Sequence, residues 1–263
     1  MSSPVLTYYD LGTHAVAFST TRHGGFSEGN YSAFNINRYC GDDAEHIAQN
    51  HHSLATLLDI PDSHIMMPHQ VHGTEVRRID APQQEIIEGV DAVMTDVPRL
   101  CIGVSTADCI PIILYDEAHH AASAVHAGWR GTVQRIVRVA VEAMCKTYGS
   151  VPSQMKAVVG PGISLESFEV GEEVYQQFAD AGFDMSAISR RLPPLSPSDG
   201  SPLVGALKWH IDLPMCNRLQ LEETGITDIY MSGICTYQQY TDYFSARRLG
   251  INSGRIFTGV MMR

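Results

Sequence analysis

Leu100-Cys-Ile-Gly-Val-Ser-Thr-Ala-Asp-Cys-Ile-Pro-Ile-Ile-Leu-Tyr-Asp-Glu-Ala-His-His-Ala-Ala-Ser-Ala-Val-His126 decides the fold class. It holds three short apolar runs, Leu100 to Thr106, Ile110 to Tyr115 and Ala121 to His126. They are rich in Val and Ile and broken at Asp108 and at Asp116-Glu117. Runs of this length and composition read as buried strands, and their close succession predicts that they are neighbours. The period then changes. Between Gly131 and Tyr148 the residues Val133, Ile136, Val137, Ala140, Val141 and Met144 share one helical face, and Gly149 supplies a C-terminal stop. Strands that hand over to a helix in this way predict an α/β chain.

The same alternation extends outward in both directions. His14 to Thr20 reads as a strand. Asp42 or Asp43 then caps a helix carrying Ala44, Ile47, Ala48, Leu54 and Leu58, which ends before Pro61. Further on, Glu172 to Ala181 and Leu213 to Thr224 read as helices, the latter stopped by Gly225. Met155 to Val159, Asp228 to Met231 and Arg255 to Met261 read as strands. Arg191-Leu-Pro-Pro-Leu-Ser-Pro-Ser-Asp-Gly-Ser-Pro202 is a Pro/Ser-rich loop too short to link two domains. With no internal repeat, residues 1–263 are expected to form a single α/β domain.

Charge and cysteine usage narrow the class of partner. Against 29 acidic residues stand 18 basic ones, a net charge of −11. That is the wrong sign for a nucleic-acid binder, which needs Lys and Arg to displace counterions, so a small-molecule partner is expected. The N-terminal stretch lacks the basic start and apolar core of a signal peptide, and no apolar run reaches membrane-spanning length. A cytoplasmic protein without a membrane partner is the expectation. The six cysteines, Cys40, Cys101, Cys109, Cys145, Cys216 and Cys235, are scattered without a CxxC pair, which fits a reducing compartment better than a disulfide scaffold.

Cys109 follows the Thr106-Ala-Asp turn, His126 opens His126-Ala-Gly-Trp-Arg-Gly131, and His72 lies in Gln70-Val-His-Gly73. One thiolate and two imidazoles form a three-ligand set with a vacant fourth position, the arrangement of a catalytic rather than a structural zinc site. Asp108 and His69 are close in sequence but neither is placed to close the set. Taken singly, a cysteine is most often a buried hydrophobe and a histidine a hydrogen-bonded core residue. Cys109 with His126 is also a nucleophile–base pair, as in an amidase, and His and Cys bind copper as well as zinc. Gly73 would let a ligand or metal approach the backbone closely. Arg22, in Thr20-Thr-Arg-His-Gly-Gly-Phe26, and Arg130, four residues after His126, are candidate anion contacts. Val159-Gly-Pro-Gly-Ile-Ser164 is a permissive loop that reads equally well as a plain turn. Tyr243-Phe-Ser-Ala-Arg-Arg248 reads by default as a solvated surface stretch. His51-His52 and His119-His120 are poor chelates, because adjacent side chains point apart.

Together these segments resemble the laccase-domain family, described as multicopper polyphenol oxidoreductases, as peptidoglycan editing factors, and as zinc-dependent purine nucleoside phosphorylases with adenosine deaminase activity. The likeness rests on Thr21-Arg-His-Gly-Gly25, Phe34-Asn-Ile-Asn37, Gly41-Asp-Asp43, Gln70-Val-His-Gly73, Asp91-Ala-Val-Met-Thr95, Thr106-Ala-Asp-Cys109, His126-Ala-Gly-Trp-Arg-Gly131, Gly160-Pro-Gly162 and Phe244-Ser-Ala-Arg-Arg248. Arg248-Leu-Gly-Ile-Asn-Ser-Gly254 is less regular than the family's Arg-Arg-Asp/Glu-Gly run. The resemblance implies an α/β fold with mixed sheets layered between helices, and an active site at or near a homodimer interface. It implies a metal, zinc or alternatively copper, on His72, Cys109 and His126. The implied catalytic residues are Cys109, His126, Arg22 and Arg130, and the implied substrate contacts are Arg22, Asn37, Arg130, Ser245 and Arg248. The implied reactions are phosphorolysis of adenosine, inosine and methylthioadenosine, and deamination of adenosine at C6. A cysteine-dependent amidase editing peptidoglycan precursors and a copper-dependent polyphenol oxidase are the alternatives.

Overall fold

The computed structural model describes residues 3–195 and 205–263. In chain order the strands are β1 Leu6–Tyr9, β2 Ala15–Thr20, β3 Ile65–Met66, β4 Val76–Arg78, β5 Ala92–Thr95, β6 Cys101–Thr106 and β7 Ile110–Asp116. There follow β8 Ala121–Ala127, β9 Lys156–Val159, β10 Glu169–Val170, β11 Ser189–Leu192, β12 Lys208–Ile211, β13 Asp228–Met231 and β14 Ile256–Met262. The helices are α1 Ala44–Leu58, α2 Trp129–Val133, α3 Ile136–Tyr148, α4 Glu172–Asp180, α5 Met185–Ile188, α6 Leu213–Glu223 and α7 Ala246–Leu249.

Two mixed sheets stack face to face. One runs β1-β2-β14-β6-β3 and the other β13-β9-β7-β8-β5-β4, with a small sheet β10-β12-β11 beside them. Period-two alternation explains the layering. On β7, Ile113 and Tyr115 face Val104, Ile102 and Val260 of the first sheet, while Ile110, Ile112 and Leu114 face Val137, Val141 and Met144 of α3. On the far side of the first sheet, Phe18, Phe257 and Met261 pack on Leu54, Ala55 and Leu58 of α1. The order of layers is therefore helix, sheet, sheet, helix, which is the mixed-sheet α/β fold that the family resemblance implies. Among the described residues no helix is long and apolar enough to cross a membrane.

The structure corrects three readings. The run Leu100 to Thr106 is not paired with the two that follow, but packs on them from the other sheet. β6 pairs with β14 and β3 in the first sheet, while β7 and β8 pair with each other in the second. All three runs are buried on both faces, and burial alone does not reveal which sheet a strand joins. The predicted helix from Gly131 is two helices. Arg135 between them takes φ +64 and is held there by Phe183 under its guanidinium and by the Ala181 carbonyl. The Pro/Ser-rich loop begins later than predicted, since Arg191 and Leu192 close β11; residues 196–202 of that reading lie outside the described residues.

Two of the chain segments that cross from one sheet to the other lead into the same place. The first joins β3 to β4 and carries His72; the second joins β6 to β7 and carries Cys109.

Candidate metal centre

Local chemistry sets each ligand. His72 sits at φ +63 in the first crossover, a left-handed conformation uncommon outside glycine. Asp108, at φ +85, turns the second crossover. Its carboxylate accepts from the Thr236 hydroxyl at 2.7 Å and the Arg247 N–H at 2.6 Å, which aims it away from Cys109. His126 lies near the end of β8 and is buried, whereas Cys109 is half-buried and His72 exposed.

The three side chains converge. Their ligand atoms all lie within 4.8 Å of one another, with Cys109 Sγ 3.8 Å from His72 Nε2 and the two imidazole rings edge to face at 4.8 Å. Gly128 makes room for them: a Cβ there would lie 2.7 Å from His72 Cδ2 and 3.1 Å from Cys109 Sγ. Burial disfavours ionisation of the Cys109 thiol, but the charge and hydrogen bonds of His126 and His72 outweigh it and hold its pKa down to about 6. Burial likewise disfavours the His126 imidazolium, yet Cys109 and the hydrogen bond to Asp91 lift it to about 9. A thiolate beside two imidazoles is a donor set that suits zinc. His69, whose Nδ1 pairs with Glu88 at 2.8 Å and whose ring stacks on Tyr39, lies outside this group of three.

Beneath the cluster lies Asp91, whose side chain is fully buried. Oδ1 accepts from His126 Nδ1 and from the His72 N–H, both at 2.8 Å. Oδ2 accepts from the N–H groups of Gly73 at 2.7 Å and Val71 at 3.2 Å. Gly73 is thus approached not by a ligand but by this carboxylate: a Cβ on it would lie 3.4 Å from Oδ2. Despite its burial, the Asp91 carboxyl is held below its ordinary range, chiefly by His126.

A cleft of about 360 Å³ opens over the cluster, lined also by Asn37, Tyr39, His69, Gln70 and Arg255. Gln70 clamps the Ser105 backbone in both directions at 2.8 Å, and Asn37 Nδ2 donates to Ser105 Oγ at 2.7 Å, so this wall is fixed to the end of β6. Of the residues expected at the site, His72, Cys109, His126 and Asn37 line the cleft, and Arg22, Arg130, Ser245 and Arg248 do not. Arg22 is half-buried over Phe244 and donates to the carbonyls of Ser32 and Tyr240. Arg130 is exposed and stacks on Trp129, and Arg248 stacks on Tyr240 and donates to the Tyr237 hydroxyl. Ser245 caps α7. The guanidinium that does line the cleft is Arg255, which donates to the carbonyls of Ile251, Ser253 and Gly254. Arg255 was read only as the start of a strand, and Asp91 only as part of a motif. An acidic residue before a short apolar run carries no local sign that four N–H groups will meet it.

Two mixed sheets between helices, with a His-Cys-His cluster at their crossovers, define a chain of the laccase-like class. It belongs to the family described as multi-copper polyphenol oxidoreductase laccase, whose model matches residues 16–263. A purine nucleoside phosphorylase of Bacteroides thetaiotaomicron is 44% identical over 255 residues, covering 93% of this chain and 90% of that protein. Adenosine deaminase RL5, from an unknown prokaryotic organism, is 41% identical over 254 residues, covering 93% and 92%. The crystal structure of YlmD from Geobacillus stearothermophilus matches with a TM-score of 0.82 at 28% identity, covering 95% of this chain and 93% of that one.

Proposed function

We propose that this protein is a zinc-dependent purine nucleoside phosphorylase acting on adenosine, inosine and methylthioadenosine, and that it also deaminates adenosine. The observation that carries the reading is the convergence of His72, Cys109 and His126 within 4.8 Å at the floor of a cleft. The names of the two relatives supply the reactions to test. Zinc held there would supply a Lewis acid beside the bound nucleoside.

In phosphorolysis a phosphate oxygen bonds to C1′ of the ribose, the C1′–N9 bond breaks, and the purine leaves with the bonding pair and takes up a proton. The cleft's own groups orient the reactants. Tyr39 and His69 form one stacked pair, at 4.1 Å, on which a purine face has an aromatic edge to rest. Asn37 and Gln70 fix the adjoining wall to Ser105. Arg255 stands as the nearest cation for phosphate in this reading, ahead of Arg22, Arg130 and Arg248, because it alone of the four lines the cleft. In deamination, water adds at C6 of adenine and ammonia leaves, giving inosine, the substrate of the first reaction.

The test combines metal analysis with product analysis. Expected are about one zinc per chain, hypoxanthine from inosine only when phosphate is present, and inosine from adenosine. Cys109→Ser and His126→Ala should each lose zinc and turnover together. Phosphate-independent base release would mean hydrolysis and overturn the phosphorylase. Turnover that survives chelation but is abolished by iodoacetamide on Cys109 would favour the amidase, and oxidation of a phenol with stoichiometric copper would favour the oxidase.

A further inference from the structure

We propose that Asp91 is the positioning residue of the metal centre. It fixes two of the three ligands at once, one through its ring and the other through its backbone. The proposal rests on the metal-site reading above and deepens it. Four N–H donors end on this one carboxylate, two on each oxygen.

The two ligands are governed differently. A hydrogen bond from His126 Nδ1 to Oδ1 places that ring's proton on Nδ1, which leaves Nε2 with a lone pair to give to a metal. The backbone of Asp91 adds a second hold on the same residue, its carbonyl accepting the His126 N–H at 2.8 Å. His72 is not held through its ring by this residue. Its N–H, with those of Val71 and Gly73, wraps around the carboxylate, so three successive amides converge on it. That nest of amides favours the φ of +63 that His72 otherwise adopts only with strain. Asp91 immediately precedes β5, and β5 lies against β8, the strand that carries His126. One anchored side chain therefore sets the spacing between a ligand on a strand and a ligand on a crossover.

An amide cannot replace this carboxylate. Whichever way an Asn side chain turns, its NH2 group meets two N–H donors. If it faces His126, relief comes when the ring moves its proton to Nε2, the nitrogen a metal needs. Asp91→Asn changes shape by almost nothing and reverses the hydrogen-bond logic of the site.

Two measurements test this. Nitrogen NMR on the zinc-loaded, unaltered protein should show His126 with its proton on Nδ1 and Nε2 engaged by metal. A proton on Nε2 would overturn the proposal without any variant being made. Zinc affinity, measured by chelator competition on Asp91→Asn under conditions where its far-UV spectrum matches that of the unaltered protein, should fall about 10–100-fold, the range seen when partners of ligating histidines are removed. Where the amide NH2 faces His126, the folded variant should also show that ring shifted toward the Nε2–H form. Unchanged affinity in folded Asp91→Asn would overturn the proposal, and a variant that does not fold leaves the ring reading of the unaltered protein to decide it. An unaltered protein that takes up no zinc would overturn the metal reading and this proposal together.

Discussion

The tightest constraint on the site at the scale of single residues is a missing side chain. Gly128 lies against His72 and Cys109 with no space for a methyl group, and its own φ of −68 is open to any residue. Its requirement is therefore one of room, not of backbone conformation. Gly128→Ala should push the His72 ring off its position, and zinc affinity should drop by at least about tenfold with little change in the thermal midpoint of the metal-free protein. Chelator competition together with calorimetry would check it, and equal affinities would show that the ring can yield. What was legible in the sequence at this scale was the grouping of His72, Cys109 and His126, because each stands in a motif with distinctive neighbours. Not legible was which arginine reaches the cleft. Arg22 and Arg130 follow suggestive turns, yet their guanidinium groups settle on nearby carbonyls and rings. Where a long flexible side chain ends is decided by residues far away in sequence.

Among the elements, β6 carries the most consequence, since its end feeds the crossover that holds Cys109. It is clasped between β14 and the two-residue β3. Gly103 in its centre is covered by the ring of Phe257: a Cβ there would lie 2.2 Å from Cζ and 2.7 Å from the Thr258 carbonyl. Gly103→Ala should thus overpack the layer between sheet and α1 and destabilise by about 1–3 kcal/mol. Denaturant unfolding reads this directly, and a shift near zero would mean that Phe257 rotates away freely. Elements such as α1, α6 and β13 could be read from the sequence almost to their ends, and α3 to its C-terminal one. β5 could not, because three apolar residues and a threonine after an acidic one suit a helix turn equally well. The break at Arg135 was hidden for a related reason: Val133 and Ile136 keep helical spacing across it, and the contacts that stabilise it come from Phe183 and Ala181, nearly fifty residues on.

For the molecule as a whole, two crossovers and the end of β8 bring His72, Cys109 and His126 together, so an ion bound there would add a further link between parts already joined by packing and by the hydrogen bonds of Asp91 and Gln70. Binding restricted to the native state stabilises by mass action, about 2.7 kcal/mol at a hundredfold excess over Kd. Zinc at that level should raise the thermal midpoint by about 5–10 °C for a chain of this size, and chelation should reverse it. Differential scanning calorimetry with and without metal would decide. A midpoint indifferent to zinc would place the ion on a surface that the unfolded chain offers equally well.

β14 has a further effect, on the order in which the molecule is assembled. It lies between β2 and β6, and its pairing sets Ala15 opposite Met262. Such closure over nearly the entire chain is entropically costly before any native contact repays it, and contacts of this span slow folding. Until β14 docks, β6 has only β3 beside it, and the turn holding Cys109 is tethered at one end to an unfinished sheet. The second sheet, built from closer neighbours in sequence, can form earlier and present His126 and Asp91 ready-made. The nascent protein would then pass through a stage with half of the cluster assembled, and a cation held by His72, Cys109 and His126 would be captured in the closing moments of folding rather than at its nucleation.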